Sequence, residues 1–180
     1  MSKALIVYGT RYGAAAATAQ EIASVLSQRG IAVKVVDAKQ EKVKDISDYD
    51  LVVVGSGVQI HRWTSEPEDF LKKFKCQLSQ KKLAIYVCCG SAAPAISGEA
   101  KEDMKAKYLT EKAAQIGVHP ATFGHFGGIY NFNKTPWWAK KAMNDERPKI
   151  AVAYKETTPN VYDTRDISAI RAWAEEITKL

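Results

Sequence analysis

Short apolar runs rich in branched side chains punctuate the chain at residues 4–8, 31–37, 51–54, 83–89 and 121–126. Residues 51–54 are apolar at every position, as burial on both faces of a sheet requires. Between these runs the spacing of apolar residues changes to three and four. Residues 14–28 repeat Ala15, Ala19, Ile22 and Leu26 ahead of Gly30, which predicts a helix and its stop. Ser65-Glu66-Pro67-Glu68 has the spacing of a capping box and opens a second helix through Phe70, Leu71 and Phe74. Residues 101–116 set Met104, Tyr108, Ala113 and Ile116 on one face before Gly117, and residues 166–179 do so with Ile167, Ile170, Ala174 and Ile177. Strands alternating with helices predict an α/β fold: a doubly wound, five-stranded parallel sheet with helices on both faces, in a single domain.

The alternation breaks down between residues 128 and 163, which predicts an insertion around the fifth strand. Thr135 and Pro136 read as a cap and a first-turn proline for a short helix at 137–143, and residues 150–154 as an edge strand completing the sheet.

In such folds ligands sit beyond the carboxyl ends of the strands. The first loop there carries Thr10, Arg11, Tyr12, Gly13, Ala14 and Ala15. It offers a hydroxyl, a cation, small residues and the positive end of a helix, which together make a phosphate cradle. It has neither the Gly-Lys-Ser/Thr of a nucleoside-triphosphate loop nor the glycine spacing of a dinucleotide fingerprint. A plain tight strand-to-helix turn has the same outline. The second loop, residues 55–63, supplies Ser56, Gly57, Val58 and Gln59, with glycines that permit positive φ. It then supplies His61 and Trp63, either of which can lie against a flat ring or pack structurally. The third contains Cys89, Gly90, Ser91, Ala92 and Pro94, small residues that let backbone amides meet the polar edge of a ring. Gly127 and Gly128 follow the fifth strand. Cys88 and Cys89 read as core residues at a strand end, and His119 and His125 as structural, without metal-site spacing.

Composition narrows the setting. No apolar run reaches the ~18 residues of a membrane span, and Met1-Ser2-Lys3 leads straight into a strand, so a cytoplasmic location is expected. Three cysteines fit a reducing compartment rather than a disulfide framework. The net charge of +6 is more distinctive. Lys72, Lys73, Lys75, Lys81 and Lys82 form one basic run. Residues 130–155 form another, with five lysines and Arg147 against Asp145 and Glu146. A solvated face accounts for such runs, as does steering toward an acidic protein, an anionic membrane surface or a carboxylated substrate. Nucleic acid is disfavoured by the lack of a recognisable module.

Taken in order, Thr10-Arg11-Tyr12-Gly13, Val53-Val54-Gly55-Ser56-Gly57, Phe126-Gly127-Gly128 and Asp163-Thr164-Arg165-Asp166 ahead of Trp173 resemble the flavodoxin family over nearly the whole chain. The similarity is strongest to the flavodoxin-domain branch that includes menaquinone-dependent protoporphyrinogen oxidases. The resemblance implies FMN, with its phosphate on the first loop and its isoalloxazine between the second and third. Two positions depart from the pattern: Ala15 stands where flavodoxins commonly carry a hydroxyl residue, and Tyr12 where a threonine is common. A basic charge also departs from the acidic norm of flavodoxins. The implied function is an electron carrier exchanging electrons with ferredoxin or another acidic redox protein, as a monomer or homodimer. The rivals are a quinone-dependent protoporphyrinogen oxidase, in which Trp137, Trp138, Lys140 and Lys141 would hold a tetrapyrrole, and an NAD(P)H or quinone reductase. A receiver domain shares the topology but needs an acidic pair after the first strand, where Gly9 and Thr10 stand instead.

Overall fold

The computed structural model describes residues 2–59, 61–93, 99–137 and 140–180, without the side chains of Ser91, Ala100, Ala142 and Glu146. Trp138 and Pro94 therefore lie outside the described residues. The chain runs through β1 (Lys3–Gly9), α1 (Ala14–Gln28), β2 (Ala32–Asp37), β3 (Leu51–Gln59), β4 (Arg62–Trp63), α2 (Ser65–Leu78) and β5 (Lys82–Cys88). It continues through α3 (Glu99–Lys105), a π turn (Ala106–Thr110), α4 (Glu111–Ile116), β6 (Thr122–Phe126) and β7 (Ile129–Asn131). It closes with α5 (Lys140–Ala153), β8 (Glu156–Thr158), β9 (Val161–Asp163) and α6 (Ile167–Ile177).

The main sheet has the order β2-β1-β3-β5-β6, with every neighbouring pair on that path parallel. The doubly wound, five-stranded parallel sheet is thus present, and its strand order reverses between β1 and β3. Strand periodicity sorts the core into two layers. Leu5, Val7, Val52, Val54, Ile85 and Val87 pack on Phe70, Leu71 and Phe74 of α2 and on Leu109, Ala113 and Ile116. Ala4, Ile6, Val53, Ala84 and Tyr86 face Ala15, Ala19, Ile22 and Leu26 of α1 and Ile170, Trp173, Ala174 and Ile177 of α6.

Four expectations need correction. Residues 55–59 are strand, not loop: β3 stays hydrogen-bonded to β1 through Ser56 and to β5 through Gly57, then folds back on itself as β4. The cap of α2 is one residue early, at Thr64, with no side-chain capping bond, because the Thr64 hydroxyl is engaged by Ser56 Oγ at 3.1 Å. The expected helix at 101–116 is broken by its π turn. Residues 150–153 are the end of α5, not an edge strand: Ile150 is buried, its neighbours are exposed, and Tyr154 N–H donates to Ile150 O as in a helix.

The insertion supplies a second, antiparallel sheet of order β7-β9-β8. It is joined to the first at Gly128, whose N–H donates to Thr164 Oγ1 at 3.1 Å and whose carbonyl accepts from the Thr164 hydroxyl and N–H, both at 3.0 Å.

Candidate functional site

The carboxyl ends of β1, β3, β5 and β6 open into one cleft with a cavity volume of about 190 Å³, closed on the far side by β7 and the approach to α5. Thr10, Arg11, Tyr12 and Ala14 line it from the first loop, and Gly57, Val58 and Gln59 from β3. Cys88, Cys89 and Gly90 line it from the end of β5, and Gly128, Ile129 and Tyr130 from the junction of the two sheets. Thr135, Pro136 and Met143 complete the wall.

The first loop is shaped as an anion cradle. Gly13 caps α1 with φ 94, a left-handed conformation that costs glycine nothing. Its N–H donates to Thr10 Oγ1 at 2.9 Å, which leaves the Thr10 hydroxyl proton to donate elsewhere. The helical ladder begins with Ala17 N–H on Gly13 O at 2.9 Å, so the N–H groups of Ala14, Ala15 and Ala16 precede it. Arg11 is exposed beside them, and the first turn holds no acid to repel an anion.

Behind this loop Tyr86 is fully buried and donates its hydroxyl to Ala15 O at 2.7 Å. Its ring fills the space that a Cβ on Gly55 would need. Gly55 is therefore required for close packing and not for positive φ. Neither Gly55 nor Gly57 has a positive φ; among the described residues of the second segment, His61 does, at φ 60.

Across the cleft, Gln59 Nε2 donates to the Tyr12 hydroxyl at 2.6 Å and laces the first segment to the second. Ser56 is buried and turned inward, donating to Gly57 O at 3.0 Å. Trp63 is also turned inward: it sits in the core at 6% exposure, with its indole N–H on Tyr108 O at 3.0 Å. His61 shares a 2.6 Å hydrogen bond with the Tyr108 hydroxyl.

At the end of β5 the two cysteines point to opposite faces. Cys88 Sγ meets Thr18 Oγ1 at 3.4 Å, and burial pushes its thiol up to about 12. Cys89 Sγ lies 3.2 Å from His125 Nε2. Burial, with Lys101 and Lys105 nearby, pulls the His125 imidazole down to about 4, so it is neutral at pH 7. A Cβ on Gly90 would collide with the Tyr130 hydroxyl, which thus reaches across to the third segment. The Tyr130 ring stacks on Phe132 at 6.4 Å, Phe132 meets Tyr162 edge-on at 6.0 Å, and the Arg147 guanidinium covers Phe132 at 5.4 Å.

Of the residues expected at a site, Thr10, Arg11, Tyr12, Ala14, Gly57, Val58, Gln59, Cys89, Gly90 and Gly128 are brought together around the cleft. Gly13 and Ala15 stand just behind the first of these. Ser56, His61, Trp63, Ala92 and Gly127 are outside the lining, and the side chain of Ser91 is outside the described residues. Trp137 is 83% exposed and is not part of the lining either. Sequence reasoning missed Ile129, Tyr130 and Met143, and it read Cys88 as core and Thr135 and Pro136 as a helix start where they also line the cleft. The signal available for Ile129 and Tyr130 was their place directly after the glycine pair that bends the chain over the cleft.

The flavodoxin domain family matches residues 5–151. The chain belongs to that family. Among solved structures, oxidised flavodoxin 1 from Bacillus cereus is 18% identical with a TM-score of 0.60, covering 99% of this chain and 98% of that one. A Fusobacterium nucleatum flavodoxin mutant bound to flavin mononucleotide is 15% identical with a TM-score of 0.55, over 99% of this chain and 96% of that one. Both share the flavodoxin fold. Protoporphyrinogen IX dehydrogenase [quinone] of Escherichia coli K12 is 30% identical over 84 residues, 47% of this chain and 46% of the relative. The match spans about half the length of that curated relative.

Proposed function

We propose that this flavodoxin domain binds FMN in the cleft and serves as an electron-transfer protein. The observation that carries the reading is the convergence of the first loop, the end of β3, the end of β5 and the Gly128 junction on one cavity at the reversal point of the sheet. The donors present fit the group. The Thr10 hydroxyl, Arg11 and the leading N–H groups of α1 suit a phosphate ester. Main-chain groups at 57–59 and 89–90 suit the polar edge of a flat ring, and Tyr130, Pro136 and Met143 form an apolar cover. FMN supplies reversible one- and two-electron chemistry when bound. The chain's part is to hold the phosphate, orient the ring and keep water off it. Backbone, hydroxyl and apolar groups make up most of the lining, which supports a carrier over a site built around proton transfer.

The partner end of the reading rests on charge. Lys134, Lys140 and Lys141 follow the cleft-lining segments in sequence and are exposed, with Trp137 beside Pro136. That face suits an acidic redox protein of the ferredoxin kind. The first basic run is used differently: Lys72 pairs with Glu68, while Lys73 and Lys81 donate to the carbonyls of Val43 and Ser47.

A second reading, a quinone-coupled porphyrinogen dehydrogenase, is favoured by the partial match to the Escherichia coli enzyme and by the apolar cover, against which a second flat molecule would lie. Titration of the apoprotein with FMN, read as quenching of flavin fluorescence, tests the cofactor; absence of saturable binding at micromolar concentration would end both readings. Reduction by a ferredoxin system without turnover of porphyrinogen and quinone is the result expected of a carrier, and the reverse pattern selects the enzyme.

A further inference from the structure

Two irregularities of the backbone meet behind the cleft. The helix that starts as α3 widens over Ala106–Thr110 into a π turn. Such turns free carbonyls from the regular ladder and recur at functional positions. Opposite it, His61 holds a left-handed backbone at φ 60, where a non-glycine residue persists only if its surroundings fix it.

Tyr108, in the middle of the π turn, does the fixing. Its main-chain carbonyl takes the Trp63 indole N–H at 3.0 Å, and its hydroxyl shares a hydrogen bond with His61 Nδ1 at 2.6 Å. The two contacts grip the β3–β4 hairpin on either side of Arg62. The other strand of that hairpin is the cleft wall: Val58 pairs with Trp63 and Gln59 with Arg62. Tyr108 also belongs to the same buried core layer as Cys89 at the end of β5. One side chain outside the cleft thus backs both segments between which a flat ring would lie.

The geometry points to Tyr108 as a positioning residue: from behind, it fixes residues 57–59 in the conformation the cleft presents to its ligand. The inference rests on the FMN reading. It gives the strained His61 a role that a hairpin packed only for stability would not need. The hydroxyl matters more here than the ring, because Tyr108→Phe keeps the ring, the buried contacts and the carbonyl that Trp63 uses.

The test uses the full chain as wild type, Tyr108→Phe, His61→Ala and the double variant. Each single variant is expected to raise the FMN dissociation constant about 3- to 10-fold, and the double variant no further than the larger single, since both remove one shared bond. Without FMN, hydrogen exchange at the amides of residues 57–59 is expected to quicken in Tyr108→Phe while the thermal midpoint stays near that of the wild type. Additive losses, or wild-type affinity and wild-type exchange in Tyr108→Phe, would overturn the inference. If the wild type itself takes up no FMN, the cofactor reading fails, while the exchange arm still decides whether Tyr108 holds the hairpin.

Discussion

The parallel sheet and the small antiparallel sheet both end at the cleft, and one tyrosine on each shows how differently they contribute. Tyr86, on β5, has no exposed surface, contacts Phe126 and Trp173 at 6.2 Å between ring centroids, and spends its hydroxyl on Ala15 O. Tyr130, on β7, is half-buried, stacks along the antiparallel sheet and presents itself to the cavity. The first sheet fixes its main chain by close packing and meets the cleft with backbone at its strand ends, beside the side chains of Thr10, Arg11, Tyr12 and Gln59. The second offers side chains. A site divided this way is expected to depend for folding on its floor, where Tyr86 is fully buried, more than on its cover, where Tyr130 is half-buried.

The harshest way to break that division is to empty the floor. Tyr86→Ala removes a buried ring and the bond to Ala15 and is expected to cost about 3–5 kcal/mol of stability, read from the denaturant midpoint. Tyr130→Ala, made alongside it, should leave that midpoint within about 1 kcal/mol. Equal losses would show that the antiparallel sheet belongs to the same cooperative core.

The next effect concerns the ligand. Thr10→Val keeps the shape of the side chain but loses both the bond from Gly13 N–H and the hydroxyl proton. It should weaken FMN by about 1.5–3 kcal/mol, roughly 10- to 150-fold in the dissociation constant, the usual range for a hydrogen bond to a charged group. Ala15 already lacks the hydroxyl that flavodoxins commonly carry there, so Thr10 stands with the main chain and Arg11 in this cradle. An unchanged affinity would move the phosphate away from α1.

How much of this was legible in the chain follows the same division. The parallel sheet announced itself because each strand is an apolar run long enough to show its period, and α1 because alanine and branched residues recur on one face. The cleft on that sheet was legible where strand ends line it, as at Thr10 with its hydroxyl and at Gly57 and Gly90 with their backbone. Where side-chain direction decides, the sequence was ambiguous. Trp63 and His61 sit in a segment that reads as a glycine-rich loop, yet pairing of Val58 with Trp63 sends the indole inward. The antiparallel sheet is built of three-residue strands, too short to show alternation, and Ile150 lies in a run of apolar residues that suits helix or strand equally. The π turn leaves no local mark, because Met104, Tyr108, Ala113 and Ile116 look helical whether or not one turn is widened.

A pH series sharpens the contrast from the floor side. His125 carries a depressed folded-state value of about 4 against an ordinary 6.5, through burial first and then Lys101 and Lys105. The unfolded chain therefore binds the proton more readily. Stability is full above pH 6.5 and falls as the pH drops toward 4. With allowance for the solvent that reaches a half-buried ring, the loss between pH 7 and 5 should be about 1 kcal/mol. His125→Gln should flatten that part of the profile. A slope that persists in the variant would assign it to other groups.

The gentlest intervention addresses the cover. Lys140 and Lys141 are exposed at the start of α5, on the polypeptide that supplies Met143 to the cleft. If an acidic redox protein approaches over this wall, charge reversal at both positions, Lys140→Glu with Lys141→Glu, should slow second-order electron exchange about 3- to 10-fold at low salt. Rim charges act on encounter more than on the bound complex. FMN affinity and folding stability should stay close to wild type, because neither lysine belongs to the lining. The difference should shrink as ionic strength rises and the screening length falls to about 8 Å near 0.15 M. The same reversal at Lys73 and Lys81, which brace Val43 and Ser47, should cost stability without a salt-dependent rate effect. Should the two pairs behave alike, the positive charge of the chain would be steering partners as a whole-molecule field, and the antiparallel wall would have no privileged part in the encounter.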